Sequence, residues 1–326
     1  MNEPYFITGA QGCIGAWVVK TLVERGDAPV VFDRSTDARR LAAIMSPDEM
    51  ERVKFLAGDI TEGNVVRRAL QESRAARIIH LAGLQVPACK ADPVAGATVN
   101  VLGTLNVFEA ARSAELTSVV YASSAAVLGP ADSLEPVDES APCEPTTHYG
   151  VFKRANEGNA RVYFLDFGIS SVGLRPLTVY GVGRNTGLTS DPTRAMKAAL
   201  LGRRFHIRCS GNTDFLYVAD AAAAFIACAD RPPKGACVFN LHGDVVEVSE
   251  IVRLIDSELP SHQRGLVTFG GPVIPVAPSM NDRAIRAAVG DAGKTPLDAG
   301  IRETIQRITS LRDEGRLDTS DLEEVA

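Results

Sequence analysis

Short apolar runs alternate with helix-like stretches along the first 176 residues, and this alternation restricts the fold more than any other feature of the sequence. The runs are short enough for buried strands, and the stretches between them carry apolar residues at helical spacing. This order indicates βαβ units around a mainly parallel sheet. The predicted strands are residues 4–8, 28–33, 53–59, 77–83, 118–124 and 171–176, and the predicted helices are residues 13–25, 41–50, 65–72, 98–114 and 149–167.

The alternation loosens beyond Pro176, where glycines interrupt the pattern. Two later runs, residues 215–220 and 237–241, are predicted as strands, with an alanine-rich helix at residues 221–229 between them. A C-terminal helix is predicted at residues 297–311, because isoleucines recur there at helical spacing.

Composition excludes several classes of function. The formal net charge of −6 and the lack of a long basic run argue against a nucleic-acid partner. No apolar run approaches the length of a bilayer span, so we expect no membrane partner. The six cysteines form no CxxC pair, which is typical of a reducing compartment, and we expect a cytoplasmic protein. The five histidines do not cluster with cysteines or carboxylates, so no metal site is predicted.

A glycine-rich turn, "ITGAQGCIG", links the first strand to the first helix and contains Gly9, Gly12 and Gly15. Glycine permits a tight turn and lets the backbone approach a pyrophosphate closely. The N-terminus of the following helix offers unpaired N–H groups and a positive dipole end to that anion. Since a strand precedes this turn and a helix follows it, the context predicts a dinucleotide site.

The second strand ends in Asp33, whose carboxylate could accept hydrogen bonds from both ribose hydroxyls of NAD and would repel the 2′-phosphate of NADP. Arg34 would instead favour NADP, because its guanidinium could pair with that phosphate. We nevertheless predict NAD as the cofactor. Asp59, at the end of the third strand, could bind the adenine amino group. Small residues in "HLAG" would let the cofactor lie across the sheet edge, and His80 within it is interpreted as a packed strand residue.

Three side chains at the carboxyl edge of the predicted sheet could transfer a proton. Ser124 ends the fifth strand, and Tyr149 and Lys153 lie four residues apart at the start of the next helix, on one face. A free tyrosine has a pKa of about 10, and a nearby ammonium group with a positive nicotinamide ring would lower it. Ser124 could hydrogen-bond the substrate oxygen and stabilise its developing charge.

With these motifs the sequence resembles the extended short-chain dehydrogenases/reductases, specifically the NAD-dependent epimerase/dehydratase family. The resemblance covers nearly the whole chain and rests on "TGAQGCIG", "GDI", "HLAG", "VNVLGTLNV", "YASSAAVLG", "YGVFK", "LRPLTVYG", "DFLYVAD" and "TPLDAGIRETI". It implies that Ser124, Tyr149 and Lys153 are catalytic. It places Asn100 near the lysine through a water or main-chain link, and the Pro176 region beside the nicotinamide.

The expected fold is therefore a Rossmann-type, doubly wound parallel sheet with a smaller mixed α/β C-terminal substrate lobe. We expect residues 1–176, joined by roughly residues 214–242, to bind NAD, and residues 177–213 and 243–326 to form the substrate lobe. The residues expected at the cofactor are Gly9, Gln11, Gly12, Cys13, Ile14, Gly15, Asp33, Arg34, Asp59, Ile60, Leu81, Ala82, Gly83, Asn100, Ala122, Ser123, Tyr149, Lys153, Pro176 and Thr178.

The sequence departs from the pattern of family members that act on nucleoside-diphosphate sugars. Leu128, Thr178 and Thr213 stand where those enzymes usually carry a tyrosine, an asparagine and a diphosphate-binding arginine. A buried diphosphate needs paired charges, which Arg184, Arg203 or Arg208 would have to supply. Ala125 and Ala126 occupy the acidic positions of the 4,6-dehydratases, which argues against that branch because no acid is available to protonate a leaving hydroxyl.

Three functions remain open at this stage: an NAD(P)-dependent dehydrogenase of a smaller carbohydrate-like substrate, a nucleotide-sugar epimerase with an unusual clamp and tightly bound NAD, and an idle NAD-binding regulatory protein. The intact catalytic set argues against the last. The resemblance also implies a homodimer formed by the helices at residues 98–114 and 149–167. The residues expected at the substrate are Gln85, Ser124, Ala125, Ala126, Thr178, Arg184 and Arg208.

Overall fold

The computed structural model describes residues 4–131, 133–187, 189–291 and 293–325. Its strands are β1 Tyr5–Thr8, β2 Pro29–Asp33, β3 Lys54–Ala57, β4 Arg77–His80, β5 Ser118–Ala122, β6 Ser170–Arg175, β7 Thr178–Tyr180, β8 Phe205–Ile207, β9 Asn212–Tyr217, β10 Ala236–Asn240, β11 Asp244–Glu247 and β12 Val267–Phe269. Its α-helices are α1 Cys13–Glu24, α2 Arg39–Ile44, α3 Pro47–Met50, α4 Gly63–Ser73, α5 Val86–Ala91, α6 Pro93–Ala97, α7 Gly103–Ser113, α8 His148–Phe167, α9 Asp191–Leu200, α10 Val218–Asp230, α11 Val248–Glu258, α12 Arg283–Val289 and α13 Leu297–Asp313.

Seven parallel strands form the main sheet in the order β10-β6-β5-β4-β1-β2-β3. The six strands predicted in the first 176 residues are all present, which confirms the expected doubly wound sheet. Strand order reverses between β1 and β4, and the carboxyl ends of these strands flank a crevice where α/β proteins bind ligands.

The central strands of this sheet are buried on both faces, which explains their apolar runs, whereas the edge strand β3 is mostly exposed. Tyr5 and Ile7 pack with α1 and α10 on one face, while Phe6 packs with α4 and α7 on the other. Successive residues of a strand point to opposite faces of the sheet, so adjacent apolar side chains pack against the helices on opposite faces.

The region after β6 holds two small sheets, of order β11-β9-β7 and β12-β8. Strand β9 belongs to the first of these and ends at Tyr217, where α10 begins at once. The predicted strand at residues 215–220 was therefore too long, and it lies outside the main sheet. The second predicted strand, β10, does extend that sheet beside β6. The division of the chain into two lobes stays a prediction.

Two of the predicted helices differ in detail. Residues 41–50 form two short helices, because Ser46 and Pro47 begin a new one: Ser46 caps α3 through a hydrogen bond from the Glu49 N–H, and proline occupies its first position. The helix predicted from residue 98 begins with a π-helical turn, Thr98–Leu102, before α7. Such turns occur often at functional sites.

One helical run within the described residues, Pro93–Ser113, is long and apolar enough by composition to cross a bilayer. In this fold part of the run packs in the core, where Val107 and Phe108 are buried against the sheet, while Val94 and Leu102 are exposed.

Candidate active site

The glycine turn brings the N-terminus of α1 to the crevice between β1 and β4. Gly9 has a positive φ of 68°, and a Cβ there would collide with the backbone of Ala82. A Cβ on Gly15 would collide with the Gly9 carbonyl, so both positions require glycine. Helix α1 begins at Cys13, and its N-cap residue Gly12 has no side chain to cap it, which leaves the first N–H groups of the helix available to an anion. These features fit the pyrophosphate of a dinucleotide.

Asp33 lies at the carboxyl end of β2 beside this turn. Its carboxylate accepts hydrogen bonds from the backbone N–H groups of Gln11, at 3.0 Å, and Ser35, at 3.0 Å. These bonds fix the charge at the wall of a cavity while leaving acceptor capacity for ribose hydroxyls. Arg34 also lines this cavity, but it is largely exposed and approaches Asp59 at 4.0 Å. The Asp59 carboxylate is held by the Thr61 N–H and hydroxyl.

Two adjoining cavities follow the crevice and meet at Gly9, Gly12 and Gly83. The first extends to Asp33 and the second to Tyr149, a layout that suits an extended dinucleotide. Of the residues predicted at the cofactor, those lining the cavities are Gly9, Gln11, Gly12, Cys13, Ile14, Gly15, Asp33, Arg34, Asp59, Ile60, Leu81, Ala82, Gly83, Ala122, Ser123, Tyr149, Lys153 and Pro176.

Ser124, Tyr149 and Lys153 meet in the second cavity. Helix α8 begins where the Thr147 hydroxyl accepts a hydrogen bond from the Gly150 N–H, at 3.1 Å, so Tyr149 lies in its first turn. The Ser124 hydroxyl and the Tyr149 phenol both line this cavity. The Lys153 Nζ lies 5.6 Å from the centroid of the Tyr149 ring and donates to the Ala122 carbonyl, at 2.8 Å. The structure thus brings the three predicted side chains together.

Burial sets the pKa values of this group. It raises the pKa of Tyr149, and the nearby Ser124 hydroxyl and the charge of Arg184 oppose this rise. It also lowers the pKa of Lys153 to about 8, so the ammonium form still predominates at neutral pH. In the protein alone, burial therefore outweighs the nearby positive charge. The predicted lowering of the Tyr149 pKa concerned the complex with a positive nicotinamide ring and stays a prediction.

A buried ion pair beneath the site was not predicted from the sequence. The Glu157 carboxylate accepts hydrogen bonds from Arg175, at 2.7 and 2.8 Å, and from the Ser123 hydroxyl, at 2.7 Å. It thereby joins α8 to the ends of β5 and β6, directly below Ser124. A signal did exist, since Glu157 lies one helical turn after Lys153 and Arg175 interrupts an apolar strand.

Asn100 lies in the π-helical turn and does not line either cavity. Its side-chain oxygen accepts a hydrogen bond from the Leu84 N–H, at 2.7 Å, and its side-chain NH₂ donates one to the Leu84 carbonyl, at 2.9 Å. A Cβ on Gly83 would lie 3.1 Å from the Asn100 Oδ1 and 3.6 Å from the Lys153 Nζ, so both side chains face this glycine. Asn100 therefore shapes the loop after β4 close to the lysine, while its predicted link to the lysine stays a prediction.

His80 is a packed strand residue, as predicted. Its ring nitrogens lie 2.6 Å from the Thr8 hydroxyl and 3.0 Å from the Thr104 hydroxyl. Burial, with the Lys153 charge acting in the same direction, lowers its pKa to about 3, so the ring is neutral at physiological pH.

The predicted substrate residues divide into two groups. Gln85, Ser124, Ala126 and Arg184 line the second cavity. The other three predicted positions do not line it. Ala125 is buried in an apolar cluster with Leu128 and Met280, Thr178 is buried with its hydroxyl 2.9 Å from that of Thr213, and Arg208 pairs with Asp191 at 2.8 Å.

Known proteins resemble this chain over most of its length. Residues 5–241 match the model of the NAD-dependent epimerase/dehydratase family. The chain is 30% identical over 247 residues to the UDP-glucose 4-epimerase of Mycolicibacterium smegmatis, which covers 74% of this chain and 78% of the relative. It is 28% identical over 272 residues to the UDP-glucose 4-epimerase of Streptomyces lividans, and the match covers 78% of this chain and 80% of the relative.

Solved structures show the same fold. MoeE5, in complex with UDP-glucose and NAD, superposes with a TM-score of 0.78 at 27% identity over 94% of this chain and 99% of that chain. The UDP-N-acetylglucosamine 4-epimerase of Methanobrevibacter ruminantium superposes with a TM-score of 0.82 at 22% identity over 95% and 99%. The family match, the 30% identity and the cavity geometry agree, and the chain belongs to the NAD-dependent epimerase/dehydratase family.

Proposed function

We propose that this chain is an NAD-dependent oxidoreductase that transfers hydride at a carbinol or keto carbon of a carbohydrate-like substrate. The observation that carries the proposal is the meeting of Ser124, Tyr149 and Lys153 in a cavity continuous with the one at Asp33. A dinucleotide lying along these cavities would have its ribose at Asp33 and its reactive end beside Tyr149.

Bound NAD would accept the hydride from the carbinol carbon. Tyr149 takes the hydroxyl proton as the C–H bond breaks, so that the carbinol becomes a carbonyl and atoms and charge balance. Ser124 hydrogen-bonds the same oxygen and, with Tyr149, positions it. Lys153 supplies positive charge that favours the phenolate form of Tyr149. Reduction of a keto group runs through the same residues in reverse.

A nucleoside-diphosphate-sugar epimerase is the second candidate, favoured by the UDP-glucose 4-epimerases among the relatives. An epimerase uses the same hydride and proton steps but returns the hydride to the opposite face of the carbon, so no net NADH accumulates. The buried Thr178–Thr213 pair argues against it, because it places neutral hydroxyls where such enzymes usually carry an asparagine and an arginine.

A substrate panel with added NAD tests the proposal and separates the two candidates. UDP-, GDP- and dTDP-sugars are compared with free sugars, sugar acids and small hydroxy acids, and both NADH absorbance and product identity are recorded. Net NADH with a free sugar or acid is the expected result. An epimerised nucleotide sugar without net NADH selects the second candidate. Neither activity on any substrate would favour an idle NAD-binding protein and contradict both.

A homodimer belongs to the same proposal. Helix α8 exposes Val151, Val162 and Leu165, which share one face at 3.6 residues per turn, and the neighbouring π-helical turn exposes Leu102. These side chains are 46 to 67% exposed, and exposed apolar residues on one helix face are typical of an interaction surface. Cytoplasmic localisation stays a prediction.

A further inference from the structure

The substrate end of the second cavity holds a single guanidinium group, that of Arg184. Its Nη2 donates to the Thr189 hydroxyl, at 2.9 Å, and its Nε is buried without a hydrogen-bond partner. No carboxylate among the described residues lies within ion-pair distance of it. The Arg184 side chain is half-buried and its charge has no counter-ion, so this arrangement suits an anion that arrives with a ligand.

A second guanidinium, that of Arg40, lies near Arg184 but lines the first cavity, where it donates to the Asn185 side chain, at 2.7 and 3.1 Å, and to the Gln11 carbonyl. Burial and the Arg40 charge lower the pKa of the Arg184 guanidinium, while the Cys13 thiol and the Tyr149 phenol oppose this shift. Tyr149 and Arg184 line the same cavity, so one small molecule could reach both side chains. The wall across the cavity is apolar, with Val86, Ala126, Leu177, Ile274 and Val276.

Other arginines are not placed to help. Arg208 is held by Asp191, with hydrogen bonds of 2.8 and 2.9 Å to the two carboxylate oxygens. Arg203 lies exposed after α9 and does not line the cavity. The Thr178–Thr213 pair is neutral and buried. Within the described residues, the second cavity is thus lined by one arginine, Arg184, besides the Lys153 ammonium at Tyr149. A single guanidinium is too little for a diphosphate, whose two charges require several donors.

A polar acceptor adjoins the guanidinium. The Gln85 Oε1 is buried without a hydrogen-bond partner, and it and the Arg184 Nη2 flank Gly187, where a Cβ would collide with the amide and lie 3.3 Å from Nη2. An unpaired buried acceptor beside a guanidinium whose Nε is unpaired suits a ligand that carries a hydroxyl next to an anionic group.

We infer that Arg184 binds a carboxylate of the substrate and that Gln85 accepts a hydrogen bond from an adjacent hydroxyl, so the substrate is a small hydroxy acid or sugar acid. This inference rests on the proposed hydride transfer and narrows its substrate class. A carboxylate carries one charge, which one guanidinium balances through two parallel hydrogen bonds. The carbinol carbon would then face Tyr149 and Ser124.

The test compares acids with neutral polyols of matched size. Sodium gluconate and sodium glycerate are titrated calorimetrically into NADH-loaded protein, against glucitol, glycerol and UDP-glucose, and each is also assayed for NADH formation with NAD. The proteins are the wild type, Arg184→Gln, Arg184→Lys and Arg68→Gln, an exposed arginine on α4 that lines neither cavity.

The wild type is expected to bind or oxidise at least one of the acids and to prefer it to the matched polyol. Arg184→Gln should weaken the binding of that acid, raising its Kd or KM about 10- to 100-fold, because a charge-assisted pair is lost. The kcat should change less. The affinity of Arg184→Lys for the acid should lie between those of the wild type and Arg184→Gln. Arg68→Gln should bind the acid as tightly as the wild type. NAD affinity and thermal midpoint serve as folding controls for Arg184→Gln.

Three results would overturn the inference: neither acid binds the wild type, Arg184→Gln leaves acid affinity unchanged, or UDP-glucose binds more tightly than both acids. In the last case, epimerised UDP-glucose would leave the hydride-transfer proposal standing. That proposal fails separately, if Tyr149→Phe retains full turnover of whichever substrate is used.

Discussion

At the residue scale, cofactor choice depends on the Asp33 carboxylate. It is oriented by two backbone N–H groups and faces the cavity wall where a ribose would lie. Asp33→Ala should weaken NAD binding about 10-fold or more, because hydrogen bonds to an ionised group are lost. NADP binding should be weakened much less, since the same change removes the repulsion of its 2′-phosphate.

The measurement is the Kd of each dinucleotide, followed by fluorescence of the single tryptophan, Trp17. Asp48→Ala, an exposed acid in α3, is the control for net charge. Equal losses for NAD and NADP in Asp33→Ala would contradict the ribose assignment.

His80 gives a pH dependence of stability. Its pKa falls from an ordinary 6.5 to about 3 on folding, because the ring is buried. Between these pH values the unfolded state binds a proton that the native state does not, so the free energy of unfolding falls as pH drops below 6.5. The slope from this group is at most about 1.4 kcal/mol per pH unit.

Chemical denaturation of the wild type and His80→Asn between pH 7.5 and 5 measures this contribution. The difference between their unfolding free energies should shrink toward acid pH, since other groups titrate alike in both proteins. A constant difference across the range would rule out a buried neutral His80.

At the scale of elements, the Glu157–Arg175 pair ties the catalytic helix to the sheet. Both side chains are almost fully buried, and Glu157 also holds Ser123, next to Ser124. Glu157→Gln should lower the free energy of unfolding by about 3–5 kcal/mol, because it leaves the Arg175 charge buried without a counter-ion. Urea denaturation measures this loss.

Glu72→Gln provides the comparison for this prediction. Glu72 pairs with Lys54 at 3.0 Å on the surface, where an ion pair contributes about 0–1 kcal/mol. Similar small losses in both variants would show that the buried pair does not hold α8 in place.

Elements of the main sheet could be predicted from the sequence because each strand is a local signal. Tyr5, Phe6 and Ile7 form an uninterrupted apolar run before glycines, and buried apolar residues also predominate in β2, β4 and β5, whereas the edge strand β3 is mostly exposed. Strand β7 has only three residues, which are too few to show a strand-like hydrophobic pattern in the sequence. Helix α9 is buried throughout, including Arg194 and Lys197, so it shows no amphipathic stripe.

Those buried charges depend on partners far along the chain. The Lys197 ammonium pairs with Asp321 at 2.7 Å, a contact between residues 124 positions apart. The site shows the same limit. Tyr149 and Lys153 are four residues apart and were predicted, whereas Glu157 and Arg175 meet only after α8 packs across β5 and β6. Sequence patterns report neighbours along the chain, and tertiary pairs require the fold.

At the scale of the whole molecule, the exposed apolar face of α8 predicts a dimer. Leu165, near the C-terminal end of α8, is 67% exposed. Leu165→Glu should convert the protein to a monomer, because a charge would be buried without a partner in the interface. Size-exclusion chromatography with light scattering measures the mass. Leu134→Glu, another exposed leucine, should stay dimeric. A wild-type monomer, or a dimeric Leu165→Glu, would contradict this surface assignment.

The central claim is that Ser124, Tyr149 and Lys153 move the proton that accompanies hydride transfer to NAD. The most direct measurement is the turnover rate of Tyr149→Phe with the best substrate of the panel, alongside its Kd for NAD. We predict a rate at least about 100-fold below wild type with NAD binding nearly intact, because only the phenolic oxygen is removed. Tyr163→Phe, on the same helix but outside the cavity, should retain the rate. Wild-type turnover by Tyr149→Phe would contradict the claim.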